Sequence, residues 1–334
     1  MTPTTSDPHF VQIHQADAAA VRAELAAGLL RPSPEVAPKF FYDALGSRLF
    51  DAITELTEYY PTRTEAAIFR EHGAAMAQRV PAGAVLIDLG AGSCSKAAGL
   101  FPVLRPAAYV AVDISVDYLR GALGELQQRH RAVPMLGVGM DFSAGLALPV
   151  PAADWLEWHD LLDAPRCVFY PGSSIGNFNR TEALALLRQA RALCAAGGPG
   201  GGILIGVDRV KDLAILEPAY DDPLGVTAAF NRNLLLHTNT LLDADFAPAR
   251  WQHVAFFNEA ESRIEMHLQS VGAQTVRWPG GERSFADGER VHTENSYKWQ
   301  PADFDALLRE AGFGPSTHWT DPRDWFGVFW APSS

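Results

Sequence analysis

Three acidic residues stand at the ends of three successive short apolar runs. Asp88 closes VLID at 85–88, Asp113 closes YVAVD at 109–113, and Asp141 follows MLGVGM at 135–140. Open α/β sheets bind ligands at the carboxyl ends of their strands, where the strand order reverses. A carboxylate at the second strand end can accept both hydroxyls of a ribose. One at the third can accept the amino group of adenine, with Phe142 covering the ring face. Between the first acid and the next helix run Gly90-Ala-Gly92-Ser-Cys-Ser-Lys96. Its glycines permit a tight turn and close approach of backbone to ligand. A dinucleotide fingerprint would place a glycine at position 95, where this chain has Ser95, so NAD fits poorly. Asp88, Asp113 and Asp141 in this order are the layout expected of an adenosylmethionine site. Taken singly, each could be a helix N-cap, and Lys96 reads more simply as a solvated helix lysine.

The elements that must position these residues alternate. Apolar runs at 85–90, 109–114, 135–142, 166–172 and 202–208 are each closed by Gly, Asp or Pro, with helical stretches between them, notably 118–130 and 181–195. Buried strands alternating with helices predict a doubly wound parallel sheet. The glycine run 197–202 reads as a helix-to-strand loop. Ahead of the sheet, 17–30, 39–56 and 64–78 are predicted helical, and residues 1–9 frayed. Near Lys211 the alternation stops. A long helix at 222–239 and two alternating runs, 253–258 and 263–269, read as an inserted α+β segment, after which a helix at 301–311 and a strand at 326–330 resume the sheet. The expected domains are therefore 61–210 plus 299–334, and 10–60 plus 211–298.

Composition narrows the function. The 334 residues carry 48% hydrophobic content and a formal charge of −12, an ordinary globular balance. The acidic balance argues against nucleic acid and anionic membrane as partners, because phosphate binding needs a basic face. Cys94, Cys167 and Cys194 are odd in number and far apart, so neither a disulfide framework nor a metal site can be drawn from them. The N-terminus lacks a basic region followed by an apolar one, and no apolar run approaches a membrane span. A cytoplasmic protein, expected to be a monomer acting on a small molecule, is the reading.

Several segments together resemble one family, the histidine Nα-methyltransferases of ergothioneine biosynthesis. They are Lys39-Phe-Phe-Tyr42-Asp, Tyr59-Tyr60-Pro-Thr-Arg-Thr-Glu65, the Asp88-Leu-Gly90-Ala-Gly92 loop with Lys96, and Gly172-Ser-Ser-Ile-Gly176-Asn177. The stretch from Ala219-Tyr220 to Asn231, Arg263-Ile-Glu-Met266, Glu294-Asn-Ser296-Tyr-Lys298 and Thr317-His-Trp319-Thr-Asp321 complete the set. The resemblance implies a class I methyltransferase domain, Rossmann-like, interrupted by a second domain that binds substrate. It implies three methyl transfers from S-adenosylmethionine to L-histidine, through the mono- and dimethyl forms to hercynine, releasing S-adenosylhomocysteine. Asp88, Gly90, Gly92, Lys96, Asp113, Asp141 and Phe142 would then line the cofactor. Asn177 and Tyr220 would hold the substrate carboxylate, and Tyr59, Met266, Glu294 and Ser296 would surround the imidazole. Tyr42, Phe50 and Gly172 would stand near the reacting amine. Asn295 departs from the apolar residue that some members carry, and on a strand it would point away from the pocket.

Such chemistry asks the protein for orientation and a neutral amine, and no metal is expected. Tyr42 is the nearest candidate to accept the proton, although an ordinary tyrosine, of pKa about 10, is a poor base; water is the alternative. Taken alone, Tyr59 and Tyr220 read as half-buried aromatics, Met266 as core filler, Glu294 as a solvated strand residue and Asn177 as a loop cap. His237, His267 and His318 read as structural or surface. Competing functions are methylation of tryptophan or another aromatic amino acid, a non-catalytic adenosylmethionine-binding regulator and, remotely, a nucleic-acid methyltransferase. Glu294 and Met266 argue against an indole.

Overall fold

The computed structural model describes residues 8–12, 18–143 and 145–333. In chain order the strands are β1 (His9–Gln12), β2 (Val85–Leu89), β3 (Ala108–Asp113), β4 (Met135–Gly139), β5 (Pro165–Tyr170), β6 (Gly198–Asp208), β7 (Trp251–Asn258), β8 (Arg263–Ser270), β9 (Gln274–Trp278), β10 (Gly281–Phe285), β11 (Arg290–Tyr297), β12 (Thr317–Thr320) and β13 (Phe326–Pro332). The helices are α1 (Ala18–Leu29), α2 (Ala44–Thr54), α3 (Tyr60–Ala77), α4 (Ser95–Leu104), α5 (Val116–Arg129), α6 (Val150–Trp158), α7 (Arg180–Ala195), α8 (Leu213–Leu216), α9 (Val226–Leu242) and α10 (Pro301–Glu310). The described residues fall into two compact units. The first takes 8–12, 61–143, 145–210 and 298–333; the second takes 18–60 and 211–297.

The first unit is built on one sheet of order β1-β4-β3-β2-β5-β6-β13-β12. Strands β1 to β6 run parallel where they pair, while β13 is antiparallel to β6 and β12 to β13. Every residue of β2 and β3 is buried, as a sheet covered on both faces requires. The chain leaves β2 toward β3 and β4, then returns to its other side at β5, so the order reverses at the β2 end that carries Asp88 and Gly90.

Three local expectations are corrected in this unit. Residues 10–12, expected with the second domain, form the edge strand β1 beside β4, together with His9, expected frayed. Four residues are too few to show a period, and what fixes them is tertiary. The Phe10 ring fills space that a side chain at Gly137 would occupy, 2.4 Å from where its Cβ would lie. The glycine run is strand rather than loop from Gly198 onward. A Cβ at Gly198 would lie 2.0 Å from the Asp163 carbonyl oxygen, and one at Gly202 2.4 Å from that of Ala331, so glycine is what lets neighbouring backbone close in. Finally, 317–320 is the edge strand β12, which sequence reading passed over as a strand.

Where the chain leaves and re-enters this unit, a buried ion pair joins the two crossings. Lys298 Nζ lies 2.8 Å from Asp208 Oδ2, the Trp299 N–H donates to the Asp208 carbonyl at 2.9 Å, and Arg209 and Trp299 form a parallel bridge.

The second unit packs α9 against α1, α2 and a three-stranded antiparallel sheet of order β11-β8-β7, with the hairpin of β9 and β10 beside it. Helix α9 begins at Val226, not near 222, because the Asp222 carboxylate takes the Val226 and Thr227 N–H groups at 3.0 and 2.7 Å. The segment 39–56 is two pieces: a 3₁₀ turn at Pro38–Phe41, then α2. Asp43 breaks it, its Oδ1 capping the Gly46 N–H at 2.6 Å and also accepting Asn233 Nδ2 at 2.8 Å. That break sets the position of Tyr42.

Candidate active site

At the reversal point of the first unit, the turn after β2 uses left-handed backbone at Gly90 (φ 69°), Gly92 (φ 50°) and Cys94 (φ 58°). A Cβ at Gly90 would meet nothing within 4 Å, so this glycine borders open space at the strand ends. Asp113 organises the turn: its Oδ2 accepts the Gly92 N–H and its Oδ1 the Ser115 N–H, each at 2.8 Å. The acid caps neither helix, since α4 and α5 begin after Cys94 and Ser115; its carboxylate instead ties two loop segments of backbone. Asp141 Oδ1 accepts the Ser143 N–H at 3.0 Å, and the Phe142 ring stands edge-on to Tyr170, centroids 5.7 Å apart. Asp88 is buried, with Oδ2 accepting the Tyr109 hydroxyl at 2.7 Å and Oδ1 lacking any partner. Burial pushes its carboxyl up to about 7, against the lowering effects of Tyr109 and Lys96. An orphaned buried acceptor, a glycine turn facing open space and two further acids at neighbouring strand ends suit a ligand with ribose hydroxyls and amino donors.

Next to this turn, β5 ends in two left-handed residues, Gly172 (φ 80°) and Ser173 (φ 63°). Ser173 Oγ accepts the Asp208 N–H at 2.8 Å, and the following 3₁₀ turn, Ser174–Asn177, presents a half-buried Asn177. The Gly172 N–H donates at 2.8 Å to Glu65 Oε1, and Lys96 Nζ donates at 2.7 Å to Glu65 Oε2. The resemblance singled out Lys96 and Gly172; Glu65 appeared only as the last residue of a quoted motif.

The second unit gathers the other expected residues. Tyr42, Phe50, Tyr59 and Tyr220 form a chain of edge-on rings, with successive centroids 5.7, 6.2 and 6.2 Å apart, and Phe230 closes against Tyr42 at 5.9 Å. The Tyr220 hydroxyl is hydrogen-bonded to Ser296 Oγ at 2.8 Å. On the sheet, Glu294 stands directly opposite Met266, and Ser296 opposite Ile264, so these four share one face. Asn295 pairs with Glu265 on the other face, as the alternation predicts. A bulge between His292 and Glu294 skips Thr293. His292 thereby stands opposite His267 and Glu294 opposite Met266, although two residues apart they would share a face on a regular strand.

Two residues missed by sequence reading brace Tyr220. His253 Nε2 donates to the Tyr220 carbonyl at 2.8 Å, and its Nδ1 accepts Asn231 Nδ2 at 2.8 Å. Burial lowers the His253 pKa, holding the neutral ring that this pairing needs. Asn231 closes the quoted 219–231 stretch, which was its only signal. On the face opposite Met266, Glu265, His267 and His292 bring donor atoms within 4.8 Å of one another. Glu265 is already engaged: Oε1 accepts Arg263 and Asn258, and Oε2 accepts His267 Nε2 at 2.9 Å. The group is a hydrogen-bonded ion network.

A family model described as histidine-specific methyltransferase, SAM-dependent, matches residues 21–333. The chain belongs to this family. It is 39% identical over 320 residues to a histidine N-alpha-methyltransferase of Mycolicibacterium smegmatis, covering 93% of this chain and 94% of that one. The same enzyme of Mycobacterium tuberculosis is 38% identical over 315 residues, 92% and 94% of the two chains. Ergothioneine biosynthesis protein 1 of Neurospora crassa is 30% identical over 286 residues, 84% of this chain and 31% of that longer one. This histidine-specific methyltransferase family member is a SAM-dependent enzyme on a class I, Rossmann-like sheet with an inserted α+β unit. Among its described residues no helix is long and apolar enough to cross a membrane.

Proposed function

We propose that this enzyme methylates the α-amino nitrogen of free L-histidine three times, giving hercynine, the first step of ergothioneine biosynthesis. The observation that carries the substrate is the shared face on β8 and β11. Glu294 and Met266 stand opposite each other there, and Ser296 is hydrogen-bonded to Tyr220. A carboxylate and a hydroxyl on one face suit a planar ring with two nitrogens, since the first accepts an N–H and the second pairs with donor or acceptor. An indole would leave the carboxylate without a well-placed donor. Adenosylmethionine, when bound, supplies an electrophilic methyl carbon on a sulfonium.

The protein's part is binding, alignment and control of a proton. Asp113, Asp141 and Phe142 hold ribose and adenine beside the Gly90–Gly92 turn, and Asn177 and Tyr220 take the substrate carboxylate. Tyr42, ringed by Phe50 and Phe230, aligns the amine lone pair, and the ammonium proton leaves either to the Tyr42 phenolate, which becomes the phenol, or to water. Nothing in this assignment discriminates against a dimethylamine, so transfer continues to the quaternary nitrogen. The enzyme is expected to act as a monomer on a small molecule.

Incubation with adenosylmethionine and each of the twenty amino acids, followed by mass spectrometry, tests the proposal. Histidine should gain three methyl groups, all on the α-nitrogen, and histidine amide none. Ring methylation, arrest after one transfer, or faster turnover of tryptophan would refute the assignment.

A further inference from the structure

Glu65 lies in α3, fully buried at 0% exposure, and its two oxygens serve two different residues of the strand-end site. Oε1 accepts the Gly172 N–H at 2.8 Å and Oε2 accepts the Lys96 ammonium at 2.7 Å. A Cβ on Gly172 would fall 2.9 Å from Lys96 Nζ, so the ammonium rests against that glycine. Room for the carboxylate comes from Gly206 in β6, where a Cβ would lie 2.0 Å from Glu65 Oε1. The lysine side chain is one-third exposed (32%) while the glutamate side chain is wholly enclosed (0%). The ammonium thus borders the open strand ends with its counter-charge behind it. Their opposed fields also reach the next acid, since Lys96 lowers and Glu65 raises the Asp88 pKa.

We propose that Glu65 is a positioning residue that holds Lys96 and cancels its charge at the methyl-donor end of the site, so that the site accepts a sulfonium cation. This rests on the reading of the strand ends as the adenosylmethionine site. Adenosylmethionine carries one more positive charge than adenosylhomocysteine, its neutral thioether product. An uncompensated ammonium at the site therefore opposes the donor selectively and leaves the product almost untouched. A glutamine at 65 can still accept the Gly172 N–H through its oxygen, but it turns an amide NH₂ toward Lys96 and removes the compensating charge. A role confined to packing would change both ligands alike.

The test is calorimetric titration of wild type, Glu65→Gln, Lys96→Met and the double variant with both ligands, alongside thermal melting. Glu65→Gln should weaken adenosylmethionine by about one to two orders of magnitude relative to adenosylhomocysteine, as expected for one unit charge about 6 to 12 Å away at an effective dielectric near 20. Lys96→Met should shift the ratio of the two affinities the opposite way, toward the donor, whatever it does to each. The double variant should return the ratio close to that of wild type, and should melt above Lys96→Met, which leaves a buried carboxylate without its cation. Equal losses of both ligands in Glu65→Gln, or an unchanged ratio in Lys96→Met, overturn the proposal. If wild type binds neither ligand, the strand-end reading itself fails and the proposal goes with it.

Discussion

Asp88 shows how burial turns an ordinary carboxylate into a titrating group at neutral pH. Its pKa rises from 3.8 to about 7, chiefly because no water reaches it. The folded protein therefore keeps a proton that the unfolded chain releases near pH 4. Between those values the native state binds more protons than the unfolded one, so stability falls as pH rises. The penalty is complete above about pH 7 and absent below about 4. Asp88→Asn mimics the protonated acid, keeping an oxygen for the Tyr109 hydroxyl. Urea denaturation at pH 5 and pH 8 should show wild type losing stability between them by more than the variant does. Parallel losses in the two proteins would mean that Asp88 is not the group responsible. Opposite behaviour belongs to Glu265, which stays ionised down to about 2. Its desolvation is outweighed by hydrogen bonds from Asn258, Arg263 and His267.

At the scale of elements, the bulge in β11 decides which residues face the proposed imidazole site. Skipping Thr293 puts His292 with the Glu265–His267 network and Glu294 with Met266. Glu294→Ala should lower kcat/KM for histidine by about one to two orders of magnitude, the loss expected of a hydrogen bond to a charged acceptor. Adenosylmethionine affinity should barely change. Adding Met266→Val enlarges the same face and should raise the use of tryptophan relative to histidine. Steady-state kinetics on both amino acids for wild type, the two single variants and the double variant decide the matter. Near wild-type histidine turnover in Glu294→Ala would place the imidazole elsewhere. The bulge itself had no trace in the sequence, because RVHTENSY reads as an extended run with or without one skipped residue.

For the molecule as a whole, the open question is how a sheet tolerates 87 residues, Lys211–Tyr297, inserted between β6 and α10. The crossings are tied by the Asp208–Lys298 pair, with side-chain exposures of 1% and 0%. Removing one member of a buried pair leaves a charge without compensation, at a cost of about 3–5 kcal/mol, whereas replacing both is close to neutral. Lys298→Met should thus be strongly destabilising in urea, and Asp208→Asn combined with Lys298→Met should recover much of the loss. If the double variant is as unstable as the single, the pair is not what stabilises this junction.

The sequence by itself determined the parallel centre of the sheet, the family and the strand-end acids, because these depend on contiguous patterns. Fully apolar runs ending in Asp88, Asp113 and near Asp141 mark buried parallel strands, and the resemblance rests on residue identities spread from Lys39 to Asp321. Only the tertiary structure decided the rest. Strand β1 exists because Phe10 fits over Gly137, and the glycines from Gly198 are strand because backbone from two other segments crowds them. Glu65 joins Lys96 and Gly172 across sequence separations of 31 and 107 residues. His253 braces Tyr220 from 33 residues away. Periodicity reports which side of an element is buried, and it carries no information on which distant group fills the space beyond. That is settled by packing, where volume, charge and hydrogen-bond capacity must match between segments that the chain order leaves unrelated.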